Sequence, residues 1–553
     1  MLVDEAMARE LCRHGVNVVF GLVGSDTVRL GARLEELGVR YVAARHESQA
    51  VAMADGYSRV TGRVGVALAN RGPGFTNAIT SMICASKARS RVIVISGDTA
   101  IGVADPGVAA AQRVDPKHVE QDAICAAAGI VSAVLRSPAA AVADLRAILA
   151  RSQSGCTIAA NVPTDVLDAA TGASGDEPAG VILPATADVP DPDPDIVAAI
   201  ADIFESGWAA HRPLILAGRG AFWSGARPEL ERLGDRVGAL FATSLMNRSF
   251  FAGHPYDMGV CGSLSTSIAS ELLVQADLVL AFGASLNRFT THDGTLLPNA
   301  RIVQVDTDKM AFGRHGAPPE LPVQADAKAL AAGLATELER RGFAARGPRT
   351  AELAARLSAH RSVDDFRDES TDGALDPRSV MVRLDDALPR ERTLVVEAGD
   401  HLRFASKYLG VPPPPAFVFP METFAIGMGM GAAIGAAVGD PSRLTVLDIG
   451  DGGMMMTLGD LETAIRYQIP MVVLISNNGG LASEMKALQR SGLSPRHAQY
   501  PVRWFGPAAQ AMGAETYTVT SLGDLDQLAG RLRQPVERPL VVDCHVAPKY
   551  DAS

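Results

Sequence analysis

Short apolar runs alternate with stretches whose apolar residues recur at helical spacing, and this alternation continues through most of the chain. The runs include "VNVVFGL" (16–22), "RVGVALAN" (63–70), "RVIVISGD" (91–98), "RPLILAGRG" (212–220), "ADLVLAFGA" (276–284), "ARIVQVD" (300–306), "LTVLDIGD" (444–451) and "MVVLISNN" (471–478). Strand-like runs separated by amphipathic helices predict α/β domains with parallel sheets flanked by helices. Two stretches break the pattern. Residues 172–195, "GASGDEPAGVILPATADVPDPDPD", mix glycine, proline and acid without periodicity, as a linker does, and residues 341–377 are more polar and charged. The expected layout is three domains, over residues 1–170, 190–345 and 370–553.

Composition narrows the function. With 51 basic and 62 acidic residues the formal net charge is -11, which argues against sequence-independent affinity for nucleic acid or anionic membrane and leaves a small-molecule site open. The six cysteines, Cys12, Cys84, Cys125, Cys156, Cys261 and Cys544, lie far apart without a Cys-x-x-Cys pair, and read as reduced thiols. The start, "MLVDEAMARELCRHG", lacks the cationic head and apolar core of a signal peptide. No run reaches the ~18 apolar residues of a membrane span. A cytoplasmic protein with no membrane and no nucleic-acid partner is the expectation.

Chemistry concentrates at "GDGGMMM" (450–456), which closes the apolar run 443–449. A helical stretch, 457–469, follows as far as Pro470, and the next strand ends in Asn477 and Asn478. In a right-handed strand–helix–strand unit both strands end on the same sheet edge, where α/β proteins bind ligands, so Asp451 and Asn478 are expected to be neighbours. A carboxylate, an amide oxygen and a free backbone carbonyl make a hard oxygen set suited to Mg²⁺ that shares phosphates and water. The glycines at 450, 452, 453, 479 and 480 let backbone N–H groups approach a phosphate, and a helix starting near Thr457 adds its positive end. Gly-Asp-Gly by itself fits a tight turn with a capping aspartate equally well; the double asparagine weighs for the metal. Met454, Met455 and Met456 read as core or pocket wall.

"GDGG...NNGG" resembles the signature of thiamine-diphosphate enzymes such as acetolactate synthase, pyruvate decarboxylase and benzoylformate decarboxylase. "HGVNVVFGLVGS" (14–25), "ARHESQAVAMADGYSRVTG" (44–62), "GPGFTNAI" (72–79) and "NARIVQVDTD" (299–308) extend the resemblance over nearly the whole chain. It implies a pyrimidine-binding first domain, a central Rossmann-like domain and a diphosphate-binding third domain. It also implies that Asp451, Asn478 and the carbonyl of Gly480 ligate Mg²⁺, with Gly452 and Gly453 approaching the diphosphate. "EAGDH" is similar to the segment lining the diphosphate from the other side, which brings in Gly399, Asp400 and His401. Glu47 matches the glutamate that shares a proton with the pyrimidine ring nitrogen and so activates the thiazolium. A surface carboxylate paired with Arg45 is the plainer alternative. Ile426 aligns with the residue propping the cofactor in its V shape, and the Phe424 carbonyl with the acceptor for its amine; a core isoleucine is the alternative there. The resemblance further implies a homodimer or homotetramer with the site at a subunit interface.

The ending of the reaction turns on departures from the family pattern. The chain has no His-His pair, and "LANRGPG" lacks the histidine that benzoylformate decarboxylases carry before this turn. Protonating an enamine needs a positioned acid, so these differences favour ligation. "AAAQRVD" (109–115) is similar to the Phe-Gln-Glu segment of acetolactate synthases, with Gln112 at the glutamine and Ala111 for the phenylalanine. Arg71 replaces a small hydroxyl residue and suits a carboxylate or phosphate clamp, with a salt bridge to a nearby acid as the equal alternative. "LAGRGAF" (216–222) and "GASLNRFTTHDG" (283–294) sit where relatives bind FAD or ADP; a structural domain without nucleotide is favoured, FAD remaining possible. The expectation is a carboligase that decarboxylates a pyruvate-like 2-oxo acid donor and passes the acyl unit to a carbonyl acceptor. The rivals are a simple decarboxylase, a 2-hydroxyacyl-CoA lyase, or a non-catalytic cofactor-binding paralogue.

Overall fold

The structure is a computed structural model that describes residues 1–103, 105–172, 180–183, 189–206, 211–313, 319–371 and 373–548. Of the expected linker, residues 173–179 and 184–188 lie outside the described residues.

Among the described residues the strands form three six-stranded sheets in which every neighbouring pair is parallel. The first holds β1 (Val18–Gly21), β2 (Arg40–Ala43), β3 (Gly65–Ala69), β4 (Val92–Asp98), β5 (Val131–Val134) and β6 (Ile158–Pro163), in the order β2-β1-β3-β4-β6-β5. The second holds β7 (Pro213–Ala217), β8 (Leu240–Thr243), β9 (Asp257–Val260), β10 (Leu278–Phe282), β11 (Arg301–Asp306) and β12 (Leu321–Gln324). Its order, β12-β11-β10-β7-β8-β9, is the doubly wound order of dinucleotide-binding sheets. The third holds β13 (Arg392–Val396), β14 (Phe417–Val418), β15 (Leu444–Gly450), β16 (Met471–Asn477), β17 (Glu515–Val519) and β18 (Leu540–His545). Its order, β14-β13-β15-β16-β18-β17, repeats that of the first sheet.

The inner strands are largely apolar, as expected of sheets covered on both faces, and all seven residues of β16 are buried, whereas the edge strands β2, β12 and β17 are more polar and partly exposed. One helix pair joins the first and third domains. The helix Glu47–Thr61 is buried along nearly its whole length, and its partner is the glycine- and alanine-rich helix Gly429–Gly439. A Cβ at Gly56 would stand 2.1 Å from the Ala432 carbonyl oxygen, and one at Gly435 1.9 Å from that of Met53, so only glycine lets these backbones touch. The two domains consequently share one apolar core, including Val51, Met53, Met430, Ile434, Leu447 and Met471. Fully burying each such large side chain contributes about 1.5–3 kcal/mol. The middle sheet keeps its own core around Phe241, Phe251 and Phe282. No helix among the described residues is long and apolar enough to cross a membrane, and all six cysteines are free thiols.

Candidate active site

In the third sheet the chain reverses its direction of winding between β13 and β15, the position at which parallel sheets leave a crevice beyond their strand ends. Asp451 follows β15 directly and Asn478 follows β16. The helix that carries Asp451 runs Asp451–Arg466, six residues earlier than the expected start at Thr457. Gly450, extended at φ -75° and ψ 160°, is the N-cap. Gly452 and Gly453 occupy the first turn, where N–H groups have no partner within the helix. This turn therefore brings the positive end of a helix of 16 residues to the crevice, with the Gly452 N–H shared with Asp451 Oδ1.

Asp451 is 3% exposed. Its Oδ2 accepts from Gly479 N at 2.8 Å, and its Oδ1 from Gly452 N at 2.9 Å and the Tyr500 hydroxyl at 3.2 Å. Burial raises the pKa of its carboxyl and these hydrogen bonds oppose the rise. Asn478 Oδ1 is buried and has no hydrogen-bond partner, although leaving such an oxygen unsatisfied costs about 1–3 kcal/mol. Gly479 has φ +72°, and at Gly480 a Cβ would meet the Ala498 carbonyl oxygen at 2.6 Å. A buried carboxylate, an orphaned amide oxygen and a tight glycine loop fit a hard divalent cation.

The opposite wall is the segment after β13. His401 is buried, and its Nδ1 pairs with Asp448 at 2.5 Å. Burial alone would lower its pKa, but the Asp448 carboxylate outweighs it and the net shift is upward. Its Nε2 is buried without a partner, and a Cβ at Gly450 would stand 3.0 Å from the ring. Asp400 Oδ2 accepts from Lys486 Nζ at 2.9 Å, and Gly399 adopts φ +153°.

Glu397 was not anticipated. It is fully buried, its Oε1 accepts from Gly427 N at 3.0 Å and Gly429 N at 2.9 Å, and its Oε2 has no partner. Burial, opposed by those hydrogen bonds, pushes its pKa up to about 7. A Cβ at Gly453 would lie 1.7 Å from Oε2, so the carboxyl sits directly beneath the glycine turn. The signal available was a single acid ending an otherwise apolar strand. Gln49 was also missed: its amide accepts from Gly431 N at 2.9 Å and donates to the Gly427 carbonyl at 2.5 Å.

Glu47 is the first residue of its helix and is 7% exposed. It accepts from Asn77 Nδ2 at 3.1 Å, whereas Arg45 pairs with Glu462. Arg71, 6% exposed, has the salt bridge considered as its alternative, to Asp115 at 3.1 Å, with Asp26 at 3.8 Å from Nε. Its Nε and Nη1 nonetheless lack hydrogen-bond partners. Gln112 is committed locally: Oε1 accepts from Ala100 N at 2.8 Å and Nε2 donates to Thr164 Oγ1 at 3.0 Å. Phe424 is 60% exposed at φ +55°, and Ile426 is half-buried against the third-domain core. Met454 is buried, whereas Met455 and Met456 are exposed. In the middle domain a cavity of about 390 Å³ opens at the ends of β7, β8, β10 and β11, lined by Arg219, Gly220, Ser244, Gly283, Ser285 and Asp306.

Comparison with known proteins agrees with this division. Residues 1–127 match the family described as thiamine pyrophosphate enzyme, N-terminal TPP binding domain; residues 200–334 match the central domain, and residues 397–544 the C-terminal TPP binding domain. The chain is 28% identical to sulfoacetaldehyde acetyltransferase of Castellaniella defragrans, over 95% of this chain and 89% of the relative. It is 28% identical to the acetolactate synthase large subunit of Parasynechococcus marenigrum, over 98% and 87%. It is 29% identical to a probable 2-ketoarginine decarboxylase of Pseudomonas aeruginosa, over 96% and 91%.

Proposed function

Because the chain belongs to the thiamine pyrophosphate enzymes, in the superfamily of acetolactate synthases and decarboxylases, we propose that it is a Mg²⁺-dependent carboligase. It decarboxylates a small, pyruvate-like 2-oxo acid and transfers the acyl unit to a carbonyl acceptor. The observation that carries the cofactor part of the reading is the buried, unpartnered Asn478 Oδ1 beside Asp451 at the start of a long helix.

Asp451, Asn478 and the Gly480 carbonyl would hold Mg²⁺, and the N–H groups of Gly452 and Gly453 with His401 Nε2 would receive the diphosphate. Asp448 holds the His401 ring in place for that contact. Thiamine diphosphate, when bound, supplies the electron sink that lets a 2-oxo acid lose carbon dioxide. Glu47, buried and oriented by Asn77, would be the group that shares a proton with the pyrimidine ring nitrogen when the cofactor is bound. Arg71 keeps two N–H edges for a substrate carboxylate while Asp115 and Asp26 offset its charge. Gln112 shapes the pocket wall through Ala100 and Thr164. A homodimer or homotetramer would complete each site with Glu47 and Asp451 from different copies.

An acetyltransferase, an acetolactate synthase subunit and a probable decarboxylase among the relatives make product analysis the deciding test. Purified protein is incubated with thiamine diphosphate, Mg²⁺ and pyruvate, with and without aldehydes or further 2-oxo acids. A condensed hydroxy-ketone supports ligation. Aldehyde and carbon dioxide alone, across all acceptors, would reject it in favour of simple decarboxylation.

A further inference from the structure

Residues 422–427 form a strap with little regular structure, and it carries Phe424 and Ile426. Its far end is tied by Gly427, whose N–H donates to Glu397 and whose carbonyl accepts from Gln49. Its near end is tied by Glu422. That carboxylate accepts from Arg59 through both oxygens, at 3.0 Å each, and from Arg219 Nη1 at 3.1 Å. Arg59 belongs to the first domain and also pairs with Asp55 at 2.9 Å and donates to the Phe419 carbonyl at 3.2 Å. Arg219 belongs to the middle domain, stacks 4.8 Å over the Trp223 ring and lines the middle-domain cavity. The side chains of Arg59 and Glu422 are only 10% and 13% exposed. Two cations and two carboxylates balance, so three domains meet in a closed, neutral network at one end of the strap.

Between the two anchors Phe424 N donates to the Met421 carbonyl at 3.0 Å. Phe424 itself sits at φ +55°, a conformation that a non-glycine residue keeps only where the surroundings impose it. A bidentate carboxylate–guanidinium pair is directional enough to impose it.

We infer that Glu422 is a positioning residue: its pairs with Arg59 and Arg219 fix the strap and thereby set where the Phe424 carbonyl and the Ile426 side chain stand against the pyrimidine ring. This rests on the proposed reading of the site as a thiamine-diphosphate site. The pairs join all three domains, so the orientation of the cofactor ring depends on how the middle domain is docked.

The test separates ring placement from binding and from folding. Thiamine diphosphate affinity is measured by titration in Mg²⁺, and activation by the rate at which the C2 proton of the bound cofactor exchanges with deuterium, read by NMR after acid quench. In Glu422→Gln the affinity, which is dominated by the diphosphate, stays within about threefold and exchange slows by at least about tenfold, since misplacement by 1 Å is enough for losses of this size. The double variant Glu422→Gln with Arg219→Gln keeps the network neutral, so it melts like the unaltered protein and still exchanges slowly. Exchange at the unaltered rate in either variant would overturn the inference, as would affinity and exchange falling together with the melting temperature in both. If the unaltered protein does not accelerate exchange above that of free cofactor, the reading of the site itself fails.

Discussion

The first and third domains share one strand order but treat the crevice it creates in opposite ways. In the first domain the turns after β1 and β3 close on each other: Asp26 N donates to Asn70 Oδ1 at 3.1 Å, and Arg71 N donates to Asp26 Oδ2 at 3.0 Å. In the third domain the segments after β13 and β16 leave Glu397 Oε2, His401 Nε2 and Asn478 Oδ1 buried without partners around the glycine turn after β15. Each uncompensated group costs free energy, and their convergence at one sheet edge is explained if a cation and a diphosphate satisfy them. The same topology thus yields turns bonded to each other in the first domain, with N–H groups of Arg71 left over there, and unpartnered acceptors and a ring nitrogen gathered around a glycine turn in the third.

The largest expected effect removes the first-domain acid assigned to proton exchange. Glu47→Gln lowers turnover by roughly 10²–10⁴-fold, the usual range for a lost proton-transfer group, with cofactor affinity nearly unchanged. Equal turnover rates would show that the first-domain wall takes no part in the chemistry.

A pH series on the cofactor-free protein sharpens the comparison next. The Glu397 carboxyl is raised from 4.5 to about 7 by burial, so between those values the folded chain holds a proton that the unfolded chain has released. Stability from this group is complete below pH 4.5 and is lost as pH rises through about 7, by up to about 3 kcal/mol. Denaturant titrations from pH 5 to 8 should show that slope flattened in Glu397→Gln; an identical slope would place the sensitivity elsewhere. The smallest effect belongs to Arg71→Ala, which raises substrate KM by about tenfold, roughly 1.4 kcal/mol, without abolishing cofactor binding. Steady-state kinetics check this, and unchanged KM would leave Arg71 as a purely structural partner of Asp115.

How much of this was legible depended on where a residue's partners lie. The β15–helix–β16 unit announces itself through two apolar runs ending in Asp451 and in Asn478, so their meeting follows from local pattern and the handedness of the crossover. The helix start was placed too late because Gly452 and Gly453 are poor helix formers in an interior, whereas in a first turn they cost little. Glu397 escaped notice because its partners, Gly427 and Gly429, are 30 and 32 positions away. The Glu422 network was out of reach for the same reason, with Arg59 and Arg219 lying 363 and 203 positions from it. Gln112 and Arg71 show the reverse failure: a motif position marks a residue, but the bonds it makes with Thr164 or Asp115 emerge only from packing.

The most direct test of the third-domain receptor is calorimetric titration of thiamine diphosphate, with and without Mg²⁺, into the unaltered protein and into Asp451→Ala. The account predicts Mg²⁺-dependent binding that weakens by about a hundredfold, about 2.7 kcal/mol, in the variant. Binding of equal strength without Mg²⁺, or unchanged by the loss of Asp451, would contradict it.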